Sequence, residues 1–156
     1  MNRIYCAIGK IIEVTQNIEL DIGEICEITE IIKEFSRHDQ MTLADFNQAK
    51  SDALYLREKM ETMTFGQMVG IVYESRSLSF DEINELKALL EKRNYFAHEY
   101  FKVTKFEVVP NEEFILEEFD ALKEYLSKLK KMLNRLEIIK SSQKERLDYL
   151  TSKVGF

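Results

Sequence analysis

The stretch IYCAIGKIIEVTQNIELDIGEICEITEII, residues 4–32, decides the fold of this chain. The positions expected on the buried face of a helix recur at alternating spacings of four and three residues, which is the period of a long helix packed in a bundle. These positions are Ile4, Ile8, Ile11, Thr15, Ile18, Ile22, Ile25, Thr29 and Ile32. Gly9 and Gly23 each weaken an isolated helix by about 1 kcal/mol, so we expect close helix approach at both.

A second seam of the same period lies towards the other end of the chain. Its members are Ile115, Phe119, Leu122, Leu126, Leu129, Leu133 and Leu136. We expect this last helix to start near Glu112 and to kink at Ser141 and Ser142. Lys140 and Gln143 occupy seam positions, and we expect the tail beyond them to reach past the bundle towards a partner.

Helix-capping signals divide the middle of the chain. Each combines a threonine or serine with an acidic or amide residue three positions later, a pattern typical of a helix start. The pairs are Thr42 with Asp45, Thr64 with Gln67, and Ser79 with Glu82. Gly66 and Gly70 predict close packing in the third helix, and Pro110 predicts an irregular or briefly extended connector over 102–111. The sequence therefore predicts an all-α, up-and-down bundle of four to five helices in a single domain, 1–156.

Composition limits the class of protein further. The chain has 156 residues, 45% hydrophobic and 32% charged, which suits one globular domain. No stretch approaches the ~18 apolar residues of a membrane helix, and the first residues lack a signal peptide, so we expect a cytoplasmic protein without membrane contact. Cys6 and Cys26 fall about 30 Å apart on one helix, which predicts idle thiols in a reducing compartment. A net charge of −6 argues against a broad polyanion-binding surface, although a small basic cleft is compatible with it.

Metal and cofactor motifs are missing from the sequence. His38 and His98 are the two histidines, and there is no cysteine cluster. His98-Glu99 begins like a zinc-protease HExxH, but Lys102 occupies the second histidine position. No phosphate-binding glycine loop, dinucleotide fingerprint or serine-hydrolase elbow is present. We therefore expect neither a metal nor a cofactor.

The segment RNYFAHEY, residues 93–100, contains the anomaly that points to function. On a helical wheel at about 100° per residue, Arg93 falls in the middle of the apolar stripe. The stripe consists of Ile83, Leu86, Leu89, Leu90, Phe96, Ala97, Tyr100 and Phe101. A guanidinium is costly to bury unless anions or hydrogen-bond acceptors meet it. Asn94 and His98 line the adjacent edge of the stripe.

Two interpretations of these residues stay open at this point. Arginine binds phosphate with a planar fork and histidine moves protons near neutral pH, so the group suits phosphodiester cleavage, in RNA by attack of the 2′-hydroxyl without a metal. Alternatively, Arg93 reaches a bundle end or pairs with a glutamate, while Asn94 and His98 are hydrogen-bonded residues at the core edge. A two-fold dimer facing this helix with its copy would double the sparse set of catalytic groups.

Arg93, Asn94, His98 and Tyr100 together resemble the R-x4-H-x-Y signature of the HEPN superfamily (higher eukaryotes and prokaryotes nucleotide-binding), including the polar residue after the arginine. The helical layout is similar to that family too. The resemblance implies a bundle that dimerises through the motif face and acts as a metal-independent endoribonuclease, leaving a 2′,3′-cyclic phosphate. Many such proteins are toxins of toxin–antitoxin or phage-defence systems.

The resemblance also assigns roles to individual residues. It implies that Arg93 binds the scissile phosphate, that His98 is the general base or acid, and that Asn94 supports them. Tyr100 matches the tyrosine that a nucleotidyltransferase antitoxin modifies with AMP in one branch. Lys87, Lys92, Lys102 and Lys105 are expected to form a local positive rim around the motif. The alternative function is a noncatalytic HEPN-like module for dimerisation or for nucleotide or partner binding.

Overall fold

Five helices make up the part of the chain that the computed structural model describes, residues 2–100 and 112–156. They are α1 (Asn2–Arg37), α2 (Leu43–Glu61), α3 (Phe65–Ser75), α4 (Phe80–Asn94) and α5 (Glu112–Val154). A π-helical turn, Tyr95–Glu99, continues α4 directly. The prediction of an all-α fold is confirmed, and the predicted connector over 102–111 lies outside the described residues.

Local capping explains where the middle helices begin. Thr42, Thr64 and Ser79 each accept a hydrogen bond from the backbone N–H three residues later, and the side chain at that later position accepts from the backbone N–H of the cap. Each such cap stabilises its helix by about 1 kcal/mol. All three predicted capping boxes are confirmed because the signal and the contact both lie within four residues of chain.

The core lies along α1, which packs against α5 over much of its length. Isoleucines of the predicted α1 seam are almost completely inaccessible to solvent, and the seam of α5 meets them. Fully buried members include Ile4, Ile11, Ile18, Ile22 and Ile25 from α1 and Leu122, Leu129 and Leu136 from α5. Each buried aliphatic side chain contributes roughly 1.5–3 kcal/mol. The two seam threonines, Thr15 and Thr29, donate their hydroxyls to Ile11 O and Ile25 O at 2.9 and 2.7 Å.

Paired side chains fix the relative directions of the helices. Lys140 of α5 donates to Asp21 of α1 at 2.7 Å, and four residues further along α5 Lys144 lies 3.8 Å from Glu24. Since the residue numbers of the paired side chains increase in the same direction along both helices, α1 and α5 run parallel. The guanidinium of Arg57 in α2 contacts Glu27 at 3.0 Å.

The end of the chain packs against the turn between α1 and α2. Phe46 near the start of α2 contacts Phe35 near the end of α1, with ring centroids 5.8 Å apart, so these two helices are antiparallel. The ring of Phe156 stacks on Phe46 at 5.3 Å. The expectation that the tail reaches past the bundle is therefore wrong, because the terminal aromatic ring finds an apolar partner within the chain. Helix α5 continues through Ser141 and Ser142.

The glycine expectations are only partly correct. A Cβ built on Gly23 would lie 3.7 Å from Arg57 Cγ of α2, so this glycine does mark a helix contact. Among residues 2–100 and 112–156 nothing lies within 4 Å of a Cβ built on Gly9, Gly66 or Gly70, so the prediction of close packing is wrong at these three positions. Gly66 and Gly70 instead leave an open surface on α3.

The two cysteines differ in environment. Cys6 is exposed, whereas Cys26 is buried, with its sulfur 3.8 and 3.7 Å from the hydroxyl oxygens of Ser75 and Ser77. Burial raises the pKa of the Cys26 thiol. No helix among residues 2–100 and 112–156 is both long and apolar enough to cross a membrane.

Candidate functional site

An ion pair between α4 and α1 holds the anomalous arginine. The guanidinium of Arg93 donates to the carboxylate of Glu19, and the two side chains are 24% and 25% exposed. Arg93 therefore lies at the boundary of the core with one anionic partner, which offsets the cost of removing its charge from water. This contact matches the structural alternative in which Arg93 pairs with a glutamate. It also presents a charged fork within reach of solvent.

A π-helical turn follows the arginine of the motif and contains its histidine. Over Tyr95–Glu99 the backbone bonds span five residues, and the N–H of Tyr100 donates to the carbonyl of Tyr95. Residues five apart therefore share a side of the helix, as residues four apart do in an α-helix. The rings of Tyr95 and Tyr100 show this directly, since their centroids are 6.1 Å apart at an interplanar angle of 87°.

Arg93 and His98 are also five residues apart, but Arg93 lies in α4 and only His98 lies in the π-helical turn. In a regular α-helix two such residues are separated by about 140° around the axis. Among the described residues no contact joins the two side chains: Arg93 contacts Glu19 of α1, whereas His98 is exposed. Helical turns of the π type nevertheless occur frequently at functional sites.

Aromatic packing against α5 supports the π-helical turn. Phe96 stacks on Tyr125 with centroids 5.3 Å apart, and its ring also contacts that of Tyr100 at 5.4 Å. The Tyr125 hydroxyl donates to the carbonyl oxygen of Leu89. Burial raises the pKa of Tyr125 to about 12, against the opposing influence of the Arg93 charge. A rigid aromatic cluster thus fixes the end of α4.

Tyr100 lies inside this cluster. Its side chain is only 2% exposed, and its hydroxyl donates to Glu118 of α5 at 2.7 Å. Burial, together with the neighbouring Glu118 carboxylate, raises the pKa of the Tyr100 hydroxyl well above its usual range. Transfer of AMP to this hydroxyl would therefore require the end of α4 to separate from α5.

His98 and Asn94 point to solvent. Both are exposed, and neither has a side-chain hydrogen bond or ion pair among residues 2–100 and 112–156. Ala97 is exposed too, although the wheel predicted it on the core stripe. The wheel assumed about 100° per residue, and within the π-helical turn its placement fails at Ala97 while it holds for Phe96 and Tyr100.

Two of the four lysines predicted to form a positive rim, Lys87 and Lys92, lie among the described residues. Lys92 lies over the ring of Tyr125, with its Nζ 5.6 Å from the ring centroid. Lys87 lines a groove between α3 and α4 that also reaches Asn94. Lys102 and Lys105 lie outside the described residues.

No cluster of three or more histidine, cysteine, aspartate or glutamate side chains suited to a metal ion occurs in residues 2–100 and 112–156. His38 lies near two carboxylates, with Nε2 3.5 Å from Glu34 and Nδ1 3.9 Å from Asp45. These contacts tie the end of α1 to the start of α2.

Three residues of the site were missed by sequence reasoning: Glu19, Glu118 and Tyr125. Glu19 is one of 28 acidic residues, and nothing in the pattern around it selects it as the partner of Arg93. Tyr125 follows Leu122 by three positions and could have been placed on the α5 seam by its period. Its hydroxyl partner, by contrast, depends on the crossing of α4 and α5.

Comparison with known proteins adds no assignment. No protein-family model, curated protein or solved structure matches this chain.

Proposed function

We propose that this protein is a metal-independent endoribonuclease of the HEPN type, with Arg93, His98 and Asn94 as its catalytic residues. The observation that carries the proposal is the π-helical turn that follows Arg93 and contains His98. Turns of this kind bring residues five apart towards one side of a helix, the imidazole of His98 is exposed, and the Arg93 side chain is 24% exposed. The group thereby combines a fixed cation with an accessible proton carrier.

The chemistry assigned to these residues is an internal transesterification. The ribose 2′-hydroxyl gives up its proton to a base and bonds to the adjacent phosphorus, while the bond from phosphorus to the 5′ oxygen breaks and that oxygen takes a proton from an acid. The products are a 2′,3′-cyclic phosphate and a 5′-hydroxyl. Arg93 stabilises the charge that develops on the phosphoryl oxygens, His98 moves one of the two protons, and Asn94 holds a phosphate oxygen or the imidazole.

The second proton carrier is assigned to another copy of the chain. One protein chain offers one histidine in this region, whereas the reaction needs both a base and an acid. The end of α4 has an uncovered side that includes Ala97, His98 and Tyr95, the last 40% exposed. A two-fold dimer through this side brings two arginines and two histidines together.

The proposed activity is tested by RNA cleavage in the presence of a chelator. Wild-type protein is expected to cut RNA and leave cyclic-phosphate ends, and His98→Ala is expected to abolish cutting while the helical circular-dichroism spectrum and the dimer persist. His38→Ala is the matched control, because it removes the other histidine at a site that joins α1 to α2. If wild type and His98→Ala behave alike on every RNA tried, the proposal fails.

A second candidate function is a noncatalytic HEPN-like module that dimerises or binds a nucleotide or protein partner. It is favoured by the Arg93–Glu19 pair, which already neutralises the arginine, and by the lack of an orienting partner for His98 among the described residues. Under this alternative the protein binds its partner without chemistry, and Arg93→Ala weakens binding while RNA stays intact.

The proposed biological role is that of a toxin or phage-defence effector restrained by a partner. A nucleotidyltransferase-type antitoxin that transfers AMP to Tyr100 would add bulky negative charge next to the aromatic rings of Phe96 and Tyr125. Such charge opposes binding of an anionic substrate. The buried setting of Tyr100 implies that the partner acts on a form in which α4 has opened from α5.

A further inference from the structure

We propose that the groove between α3 and α4 is a binding site for unpaired RNA nucleotides that flank the scissile phosphate. The inference rests on the proposed ribonuclease function and identifies which surface holds its substrate. It assigns Tyr73 and Phe80 as stacking platforms for bases and Lys87 as a contact to the RNA backbone.

The groove reaches the motif at Asn94. It encloses about 880 Å³, and its lining extends along α4 from Phe80 to Asn94, a span of about 20 Å at 1.5 Å per residue. A neighbouring cavity of about 390 Å³ shares Tyr73, Phe80 and Ile83 with it and adds Arg76. An extended RNA strand held at Asn94 can therefore follow α4 away from the reacting phosphate.

Two aromatic rings are available to bases in this groove. Tyr73 of α3 and Phe80 of α4 are 62% and 66% exposed, so neither ring is used for the core. A Cβ built on Gly66 or Gly70 of α3 has no atom of the described residues within 4 Å, which leaves this wall of the groove low and open. Stacking on exposed aromatic side chains is the common way to hold single-stranded nucleic acid, and each base stacked in this way contributes about 1–3 kcal/mol.

The polar groups of the groove also suit a nucleotide chain. Lys87 and Arg76 have no carboxylate partner among residues 2–100 and 112–156, so their charges are available to phosphates. The amides of Asn84 and Asn94 offer both donors and acceptors to base edges. The carboxylates of Glu74 and Glu91 line the same two cavities and limit the electrostatic contribution.

An intrinsic fluorophore provides the first test, because the chain contains no tryptophan. Phe80→Trp creates a single reporter in the groove, and Tyr149→Trp creates one at a similarly exposed position on α5 that lines neither cavity. A 2′-O-methyl RNA, which binds but lacks the attacking hydroxyl, is the probe. We expect it to quench Phe80→Trp and to leave Tyr149→Trp unchanged.

Steady-state cleavage provides the second test. The double variant Tyr73→Ala, Phe80→Ala is expected to raise KM for a long single-stranded RNA at least ten-fold with kcat retained, whereas a dinucleotide too short to enter the groove is cut as by wild type. Tyr55→Ala, which removes a 70% exposed ring from α2, is the control and should leave both constants unchanged.

The outcomes separate the two proposals. Cleavage that depends on His98, without quenching of Phe80→Trp and without a change in KM, overturns the groove and leaves the ribonuclease intact. Quenching by RNA in a protein that never cuts supports the groove and overturns the enzyme. A change in Phe80→Trp emission that follows protein concentration alone shows that the groove joins two copies of the chain, which overturns its assignment to RNA.

Discussion

Arg93 in α4 is bound to Glu19 in α1, a residue 74 positions earlier in the chain. The carboxylate of Glu19 is an anion, as is the phosphate that Arg93 is proposed to bind. Substrate must therefore compete with an internal carboxylate. The pair makes Glu19 the residue that limits access to the proposed phosphate site.

Removal of that carboxylate charge should strengthen RNA binding. Glu19→Gln keeps the size of the side chain but no longer competes with phosphate, so we expect the Kd for noncleavable RNA to fall several-fold at low salt. Since both side chains are partly exposed, the loss of unfolding free energy should be about 1 kcal/mol. Glu13→Gln is the control, because it removes the same charge from an exposed pair with Lys10 on the same helix. Weaker binding in Glu19→Gln would mean that the glutamate orients the arginine for substrate.

The buried Tyr125 hydroxyl predicts a loss of stability at alkaline pH. Its pKa is about 12 in the folded protein and near 10 in the unfolded chain, so the fold favours the neutral phenol. This contribution is complete below pH 10 and is lost as the pH rises towards 12, with an upper limit of about 2–3 kcal/mol.

Chemical denaturation at several pH values checks this prediction. Tyr125→Phe should be less stable at pH 8 by about 1 kcal/mol, because the bond to Leu89 O is lost, and should show a shallower decline above pH 10. Tyr100 has a raised pKa as well, so part of the decline should persist. Tyr149→Phe, at an exposed site, should reproduce the wild-type curve. Identical slopes for all three proteins would contradict the assignment.

The Asp21–Lys140 pair should be essential to the α1–α5 interface. The side chains are 10% and 19% exposed, and Asp21 Oδ2 has no hydrogen-bond partner in the part of the chain that the structure describes. Lys140→Met would leave a buried carboxylate without its cation, so we expect a loss of about 3 kcal/mol in unfolding free energy. Lys144→Met, which removes a more exposed lysine one turn later, should cost less than about 1 kcal/mol.

Addition of Asp21→Leu to Lys140→Met should restore most of the unfolding free energy lost in Lys140→Met, since an apolar pair removes the unpaired charge. Urea denaturation of the four proteins provides the comparison. If the double variant is as unstable as Lys140→Met alone, packing rather than charge explains the defect.

The residue that ends α3 should tolerate glycine. Arg76 has φ 55° and ψ 30°, the left-handed conformation in which a Cβ is unfavourable. Arg76→Gly should raise the unfolding free energy by up to about 1 kcal/mol, reduced by the greater freedom of glycine in the unfolded chain. Arg76→Val should lower it, and a thermal melt of both variants measures the difference.

Modification of Tyr100 can be distinguished experimentally from modification of the nearby Tyr95. Coexpression with an AMP-transferring partner is expected to add the mass of one AMP to wild type and to Tyr95→Phe, but none to Tyr100→Phe. Intact-mass spectrometry reads this directly. Tyr95 is far more exposed than Tyr100, so AMP on Tyr95 would show that accessibility, and not the motif, selects the acceptor.

Features encoded within a few residues could be predicted from the sequence. The capping boxes and the seams of α1 and α5 depend on side chains one turn apart, and the structure confirms them. The helical wheel placed Arg93 in the middle of the apolar stripe, whereas the structure has it at the core boundary, 24% exposed and paired with Glu19.

Features that depend on distant contacts could not be predicted in the same way. Glu19 meets Arg93 only because α1 and α4 cross at that point, and Phe156 meets Phe46 because α5 ends near the start of α2. The π-helical turn was missed because the wheel assumed a constant period, and it is supported by rings from a second helix, notably Tyr125. A periodic pattern within one segment carries no information about such partners.

The π-helical turn also has a consequence for insertions and deletions. It holds one residue more than an α-helical turn, so loss of Ala97 alone would let the segment become ordinary α-helix, in which Arg93 and His98 would be four residues apart and on one side. In a shortened chain of this kind the residues after the deletion would rotate about the helix axis. Motif searches that demand a fixed gap between the two side chains would pass over such a protein, although its arginine and histidine would face the same way.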